Sequence, residues 1–286
     1  MQSTPKAALW MSAWLTCMVA MAVAGRELTA DLPVFVVMLL RSLFGLVLIT
    51  PLVIKNRAIA SPRRRLHLWR NLVHYTAQYA WFFALTLIPL AQVVSIEFTL
   101  PIWTAILATV FLGERLSNYR IAAIALGFAG VLIIVRPGVS TVELGQMAAL
   151  YAAIGFALSL TMTKSLTRSD SALTIIFYML AVQAAIGLLP ALYVWTWPTA
   201  DKWPWVAVVG FVGTVSHYSL ARAMAHADAT VVAPMDFLRV PLTALAGYLL
   251  YAEQIDLFLT IGAALILTGN MLNLKRDPAK AVRPGA

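Results

Sequence analysis

Residues 93–103 read VVSIEFTLPIW, which sets one glutamate, Glu97, and one proline, Pro101, into an otherwise almost wholly apolar run. Nothing nearby in sequence solvates that acid, so its meaning depends on the medium around the segment. Working outward, the 286 residues are 61% hydrophobic and only 12% charged, with a mean hydropathy of +0.83. Soluble domains carry about a quarter charged residues. A water-soluble fold of this length cannot hide so much apolar surface, and the natural solvent is lipid. The single cysteine, Cys17, excludes an intramolecular disulfide framework and any multi-cysteine metal site.

Apolar stretches long enough to cross a ~30 Å hydrocarbon core recur along the whole chain. They lie near 7–25, 33–54, 67–87, 91–112, 118–136, 144–164, 172–195, 203–223, 229–250 and 256–274. The links between them are short and carry chain breakers: Pro62, Pro89, Pro137-Gly138, Pro198 and Pro204. None is long enough to hold a soluble domain. The first stretch has features of a signal peptide, with Lys6, an apolar run and Ala22-Val23-Ala24. Its run is long for that role, and it is expected to stay as a span.

Orientation follows from Lys and Arg in short loops. With ten spans and the N-terminus inside, the cytoplasmic side collects 15 of the 21 basic residues, among them Lys6, Arg63, Arg64, Arg65, Arg70, Arg115 and Lys275. The outer side receives Arg26, Arg136 and Lys202. Both termini are therefore expected in the cytoplasm of a bacterial-type inner (plasma) membrane. This distribution accounts for the net charge of +9 through anionic lipid rather than nucleic acid. The link WTWPTADKWPW (195–205) then falls on the outer side, where indoles favour the interface.

A shift of 139 residues aligns the two halves without a gap: Asp31 with Asp170, Pro51 with Pro190, Tyr79 with Tyr218, Phe98 with Phe237, Thr104 with Thr243, Glu114 with Glu253 and Gly130 with Gly269. Matches of such scarce residues point to a duplication. The expected architecture is an all-α integral membrane protein of ten transmembrane helices, built as two five-helix repeats over 1–139 and 140–286. Five is odd, so the second copy is expected inverted relative to the first, an arrangement suited to alternating access.

The five-plus-five pattern, with F111-L-G-E-R-L closing span four and Y251-A-E-Q-I closing span nine, resembles the EamA family of the drug/metabolite transporter superfamily. M38-L-L-R-S-L-F-G and P89-L-A-Q-V-V-S-I-E-F-T-L-P resemble it as well. The resemblance spans the chain and implies a transporter of small solutes. The second half departs from the pattern, with Ala252 opposite Gly113 and Leu180 opposite Arg41.

Charged side chains at membrane depth are costly and normally face a cavity or a partner. Glu97 and Asp236 occupy repeat-matched positions in spans four and nine. On a helix Glu97, Pro101 and Thr104 share a face, as do Asp236, Arg239 and Thr243. Pro101 and Pro241 are expected to kink their helices and free backbone carbonyls. Arg239 can pair with Asp236 at i,i+3. Arg41 has no acid in its own span, so Glu97 or a substrate carboxylate is its candidate partner. Arg222, near the cytoplasmic end, is expected to snorkel, and Glu114 and Glu253 to cap or anchor loops.

Span three adds a polar stripe of Asn71, His74, Gln78 and Trp81. His217 and Tyr218 in span eight stand opposite Gln78 and Tyr79, and span one offers Trp14 and Cys17 on one face. The candidate substrate-binding set is therefore Trp14, Arg41, His74, Gln78, Tyr79, Glu97, His217, Tyr218, Asp236 and Arg239. Hydrogen-bonded packing is the competing role for the histidines and for Trp14. Such a lining suits a polar or zwitterionic solute, amino-acid or nucleoside-like, moved by secondary active transport with Glu97 as the proton-coupling candidate. A substrate–substrate exchanger or facilitator without proton coupling is the alternative. No HExxH, CxxC, nucleophile elbow or phosphate-binding glycine loop appears, so an enzyme is not expected, nor a cofactor or bound metal. The expected partners are a small-molecule substrate, the bilayer and protons, with the chain a monomer or homodimer.

Overall fold

The computed structural model of the chain describes residues 4–56, 58–112, 118–136, 141–227, 232, 235–254 and 256–273. These residues form helices and no strand. They are α1 (Thr4–Thr29), α2 (Val34–Lys55), α3 (Arg64–Leu87), α4 (Leu90–Glu97), α5 (Leu100–Leu112), α6 (Asn118–Val135), α7 (Leu144–Leu166), α8 (Ala172–Tyr193), α9 (Trp203–His226), α10 (Arg239–Tyr251) and α11 (Leu257–Asn273). Glu114, Asp228, Pro137-Gly138 and the basic C-terminal stretch from Lys275 lie outside the described residues.

Helix starts follow local chemistry. Pro33 and Pro89 stand just ahead of α2 and α4, and Pro204 lies in the first turn of α9, where a missing N–H costs nothing. Ser171 caps α8 by accepting the Thr174 N–H. Pro51 and Pro190, the repeat-matched pair, stay inside α2 and α8.

Five stretches are long and apolar enough to cross a membrane by composition: Pro5–Thr29, Val34–Lys55, Leu90–Leu107, Leu144–Leu166 and Ala172–Tyr193. The helices α3 and α9 are each 24 residues long, and α3 carries the polar stripe anticipated above. Large apolar side chains such as Val47, Leu160, Leu189 and Leu249 project outward. Lipid is the medium in which that face is stable. The chain is an all-α, multi-pass membrane protein.

The most extensive packing is between spans distant in sequence. α1 runs along α9, α3 along α7, α2 along both α8 and α9, and α6 along α11. The first helix is thus embedded, burying Met11, Trp14 and Leu15 with Ala223 and Val232. The α6–α11 contact is a backbone-close crossing. A Cβ on Gly130 would lie 2.5 Å from the Gly262 carbonyl, and one on Gly262 would lie 2.6 Å from the Gly130 carbonyl. Small residues allow this in lipid, where association depends on packing rather than on a hydrophobic drive.

Span four is broken between α4 and α5. Pro101 cannot donate to the carbonyl of the residue four before it, Glu97, and the helix lapses at Phe98 and Thr99. Asn270 of α11 donates to the Phe98 carbonyl at 2.7 Å, satisfying a backbone group exposed by the break. The expectation that Glu97, Pro101 and Thr104 share one continuous helical face is therefore corrected, since the break divides them between two helices. In the second half α10 begins after a turn at Phe237 and Leu238, just ahead of Pro241.

Candidate functional site

The break aims Glu97 into the protein interior, where its side chain is 9% exposed. Its two oxygens have separate donors: Trp81 Nε1 at 2.8 Å to Oε2 and Arg239 Nη1 at 2.9 Å to Oε1. Arg239 also faces Asp236, Nε to Oδ1 at 3.6 Å, and its guanidinium lies 4.7 Å over the Phe98 ring. Asp236 Oδ1 accepts from Trp14 Nε1 at 2.6 Å. The repeat-matched Phe98 and Phe237 meet edge to face, 5.7 Å between centroids. A chain of groups results, Trp81–Glu97–Arg239–Asp236–Trp14, drawn from α1, α3, α4 and the start of span nine.

The candidate pairing of Arg41 with Glu97 is corrected by this geometry. Arg239 takes Glu97 because α4 packs against α10, whereas Arg41 faces α3, α8 and α9. Arg41 Nη1 donates to Gln183 Oε1 at 3.4 Å. With the Gln78 amide oriented to satisfy both its atoms, its oxygen accepts from Arg41 Nε at 3.2 Å and Nη1 at 2.8 Å, and its nitrogen donates to Gln183 Oε1 at 3.2 Å. Gly213 of α9 makes room, since a Cβ there would lie 2.8 Å from Arg41 Nε.

Arg70, counted above with the cytoplasmic loops, is instead buried within α3. Its Nε donates to Thr163 Oγ1 at 3.0 Å and its Nη1 to Asn71 Oδ1 at 2.7 Å. Asn71 in turn donates to the Tyr178 carbonyl. His74 and His217 lie within electrostatic reach of both Arg41 and Arg70. His74 packs edge-on against Phe156, and its Nδ1 has no hydrogen-bond partner. Among the described residues no carboxylate lies within 4 Å of either guanidinium.

Eight of the ten candidate residues therefore fall into two polar clusters inside the bundle, joined on α3, where Gln78 and Trp81 stand one turn apart. Trp14, Glu97, Asp236 and Arg239 form one, and Arg41, His74, Gln78 and His217 belong to the other. Tyr79 stands apart, stacking between Phe35 and Phe83. Tyr218 is about half exposed and packs edge-on against Trp10. Arg222 lies over Trp10, at the edge of the bundle. Sequence reasoning missed Gln183 and the burial of Arg70. The signal for Gln183 was its isolation as a polar residue one turn beyond Leu180, the repeat match of Arg41.

Carboxylates at the helix ends have partners of their own. Glu253 pairs with Arg26 at 2.8 Å and accepts the Leu90 N–H at 3.0 Å. It thereby caps α4 from the other half of the chain, as its anchoring role required. Ala252 just before it adopts φ 52°, the left-handed conformation that suits the glycine found at the matching position, Gly113. Lys202 pairs with Asp31 at 2.7 Å, which pushes its ammonium pKa up. A cavity of about 270 Å³ beside α5, α6 and α7 is walled by apolar side chains such as Ile102, Phe128 and Leu150 and lies apart from both clusters.

The geometry is that of a helical membrane protein with two polar clusters in its interior. A family model, the EamA-like transporter family, matches the chain twice, over residues 5–136 and 143–275. The chain belongs to that family, and it is a small-metabolite transporter rather than an enzyme. It is 29% identical over 254 residues to a riboflavin transporter of Brucella anthropi, covering 86% of this chain and 89% of the relative. It is 27% identical over 252 residues to an S-adenosylmethionine uptake transporter of Rickettsia prowazekii, covering 87% and 85%. A pseudopaline exporter of Pseudomonas aeruginosa is 26% identical over 253 residues, covering 85% and 86%. A solved crystal structure superposes with a TM-score of 0.67 over 94% of this chain and 96% of its own, at 19% identity, a likeness of fold.

Proposed function

We propose that this protein carries a small polar or zwitterionic metabolite, amino-acid or nucleoside-like, across the inner membrane by alternating access. The ten spans act as two inverted five-helix repeats with both termini cytoplasmic. Support for the repeat comes from the tandem family matches and from the packing: under the 139-residue correspondence α1 on α9 exchanges with α7 on α3. Relatives named for riboflavin, S-adenosylmethionine and pseudopaline support a polar metabolite as cargo.

The observation that carries the mechanism is the pair of carboxylates flanking one guanidinium. Glu97 and Asp236 share Arg239, so with all three ionised the cluster holds one excess negative charge. A proton or a substrate cation neutralises it. Each makes a different demand on Arg239, and competition between them for the same acids is the chemical basis of proton exchange. Arg26–Glu253 ties α1 to the end of α10 and to α4, and an outward opening has to release it.

The test begins with a thermal-shift screen of the purified full chain against amino acids, vitamins, nucleosides and organic acids, since a ligand of the folded state raises its stability. The hit is then assayed in proteoliposomes under an imposed pH gradient. Wild type should respond to the gradient, and Glu97→Gln should transport without responding. Retained pH-driven uptake in Glu97→Gln would remove the coupling role. Transport indifferent to the gradient but stimulated by substrate on the far side would identify an exchanger, in which the same acids hold the substrate's cationic end.

A further inference from the structure

The intramembrane cations of this chain are treated in two ways. Arg239 sits between two carboxylates. Arg41 and Arg70 are 4% and 6% exposed and come together along α3, where Gln78, the partner of Arg41, lies on the same helical face as Arg70 two turns on. Among the described residues they meet only neutral partners: Gln78, Gln183, Thr163 and Asn71. Burying one guanidinium without a counter-charge is expensive, and burying two in reach of each other more so. Neutral amides and hydroxyls satisfy N–H groups but leave the charge itself uncompensated.

The surroundings are built to orient these groups. Gln78 and Gln183 brace the inner edge of Arg41, and Gly213 leaves the space it occupies. His74 supplies a ring nitrogen with no partner, and Gln183 Nε2 is likewise without one. Four helices, α2, α3, α8 and α9, contribute. A guanidinium presents a planar fork that matches oxyanions in bidentate fashion, and two buried ones favour an anion.

We propose that Arg41 and Arg70, with Gln78, Gln183 and His74, form the binding site for an anionic oxygen group, carboxylate or phosphate, on the transported solute. This rests on the transport reading for the solute's passage, but the binding itself is measured without transport. The site completes a two-pole arrangement: the anion of the solute at Arg41 and Arg70, and its cationic or protonated end at the Glu97–Asp236 cluster, whose Trp81 stands one turn beyond Gln78 on α3.

The test uses the full chain in non-ionic detergent at constant ionic strength, with three probes: inorganic phosphate, succinate and its neutral diamide, succinamide. Phosphate or succinate should raise the unfolding midpoint, while succinamide and added chloride should not. A stronger response to phosphate names a phosphoryl group, and a stronger response to succinate names a carboxylate. Arg41→Gln and Arg70→Gln should each weaken the stabilising anion by roughly 10- to 100-fold, the loss of a charge-assisted contact. Arg41→Lys should fall between, keeping charge without the fork, and Arg65→Gln on the surface should bind like wild type.

Equal stabilisation by succinate and succinamide in wild type overturns the proposal, whatever the variants do. An anion response left intact in both glutamine variants overturns it as well. Proteoliposomes that move no metabolite while the anion response persists would count against transport and leave the anion site standing.

Discussion

The two polar clusters inside this bundle adjoin on α3, where Gln78 and Trp81 stand one turn apart, and obey opposite rules. Around Arg239 opposite charges meet, two carboxylates on one guanidinium; two indoles donate to the carboxylates, and the Phe98 ring lies against the guanidinium. Around Arg41 and Arg70 the partners are neutral. The first arrangement ties α1, α3, α4 and span nine to one another through ion pairs and hydrogen bonds. The second stores a debt of uncompensated charge that a ligand can settle. The difference teaches where to look for recognition in such a protein, which is at the charge the fold leaves unanswered.

The comparison breaks most readily at Arg239. Arg239→Leu strands two carboxylates and should destabilise the protein by about 3–5 kcal/mol, read as the unfolding midpoint in detergent. If the loss is under about 1 kcal/mol, the first cluster is not the internal tie described here. Asn270→Leu removes the donor to the Phe98 carbonyl at the break below Glu97 and should cost about 1–3 kcal/mol, with the position of Glu97 disturbed and coupled uptake reduced.

The second cluster should respond with the opposite sign. Arg70→Gln removes a buried, uncompensated charge and should leave the ligand-free protein unchanged or stabilised by about 1 kcal/mol, while transport falls. A large destabilisation would make Arg70 structural, like Arg239. Ala252→Gly should stabilise by roughly 0.5–1 kcal/mol, because glycine adopts its left-handed backbone without penalty. That gain touches neither cluster and calibrates the assay.

The smallest effect concerns Asp170, in the link between α7 and α8. Burial alone would raise its carboxyl, but hydrogen bonds from Ser61 and Ser169 and the neighbouring His67 outweigh this and hold it below the usual carboxylate range. A depressed carboxyl contributes stability above its unfolded pKa and loses it as pH falls through the folded value. Unfolding followed from pH 6 downward should show this contribution fading only below the ordinary carboxylate range, and Asp170→Asn should remove it.

Much of the architecture was legible in the residues. The helix positions followed the apolar runs and their prolines closely, because lipid demands that each spanning segment satisfy its own backbone. The burial of Glu97 and the Asn71–Trp81 stripe was legible too, as was the inward position of the partly buried Asp236, since a scarce polar residue in an apolar run has few places to go. Glu253 as an anchor also followed from its position at a helix end. What could not be read was which charge meets which. Spacing matched Arg239 to Asp236 and left Glu97 as a candidate for Arg41, and neither cue reports which helices face each other. Arg70, seven residues into a helix opening with Arg64 and Arg65, looked like one more basic residue at the cytoplasmic edge.

The sequence by itself determined that this chain lives in lipid, that its helices fall where they do, and which few polar side chains must turn inward, because hydrocarbon leaves them no other place. Only the tertiary structure decided that Glu97 belongs to Arg239 and that Arg41 and Arg70 have no carboxylate among the described residues. Those pairings depend on how α4 rotates against α10 and how α2 and α3 close against α8 and α9. Such contacts between distant spans are set by packing, and local sequence carries no record of them.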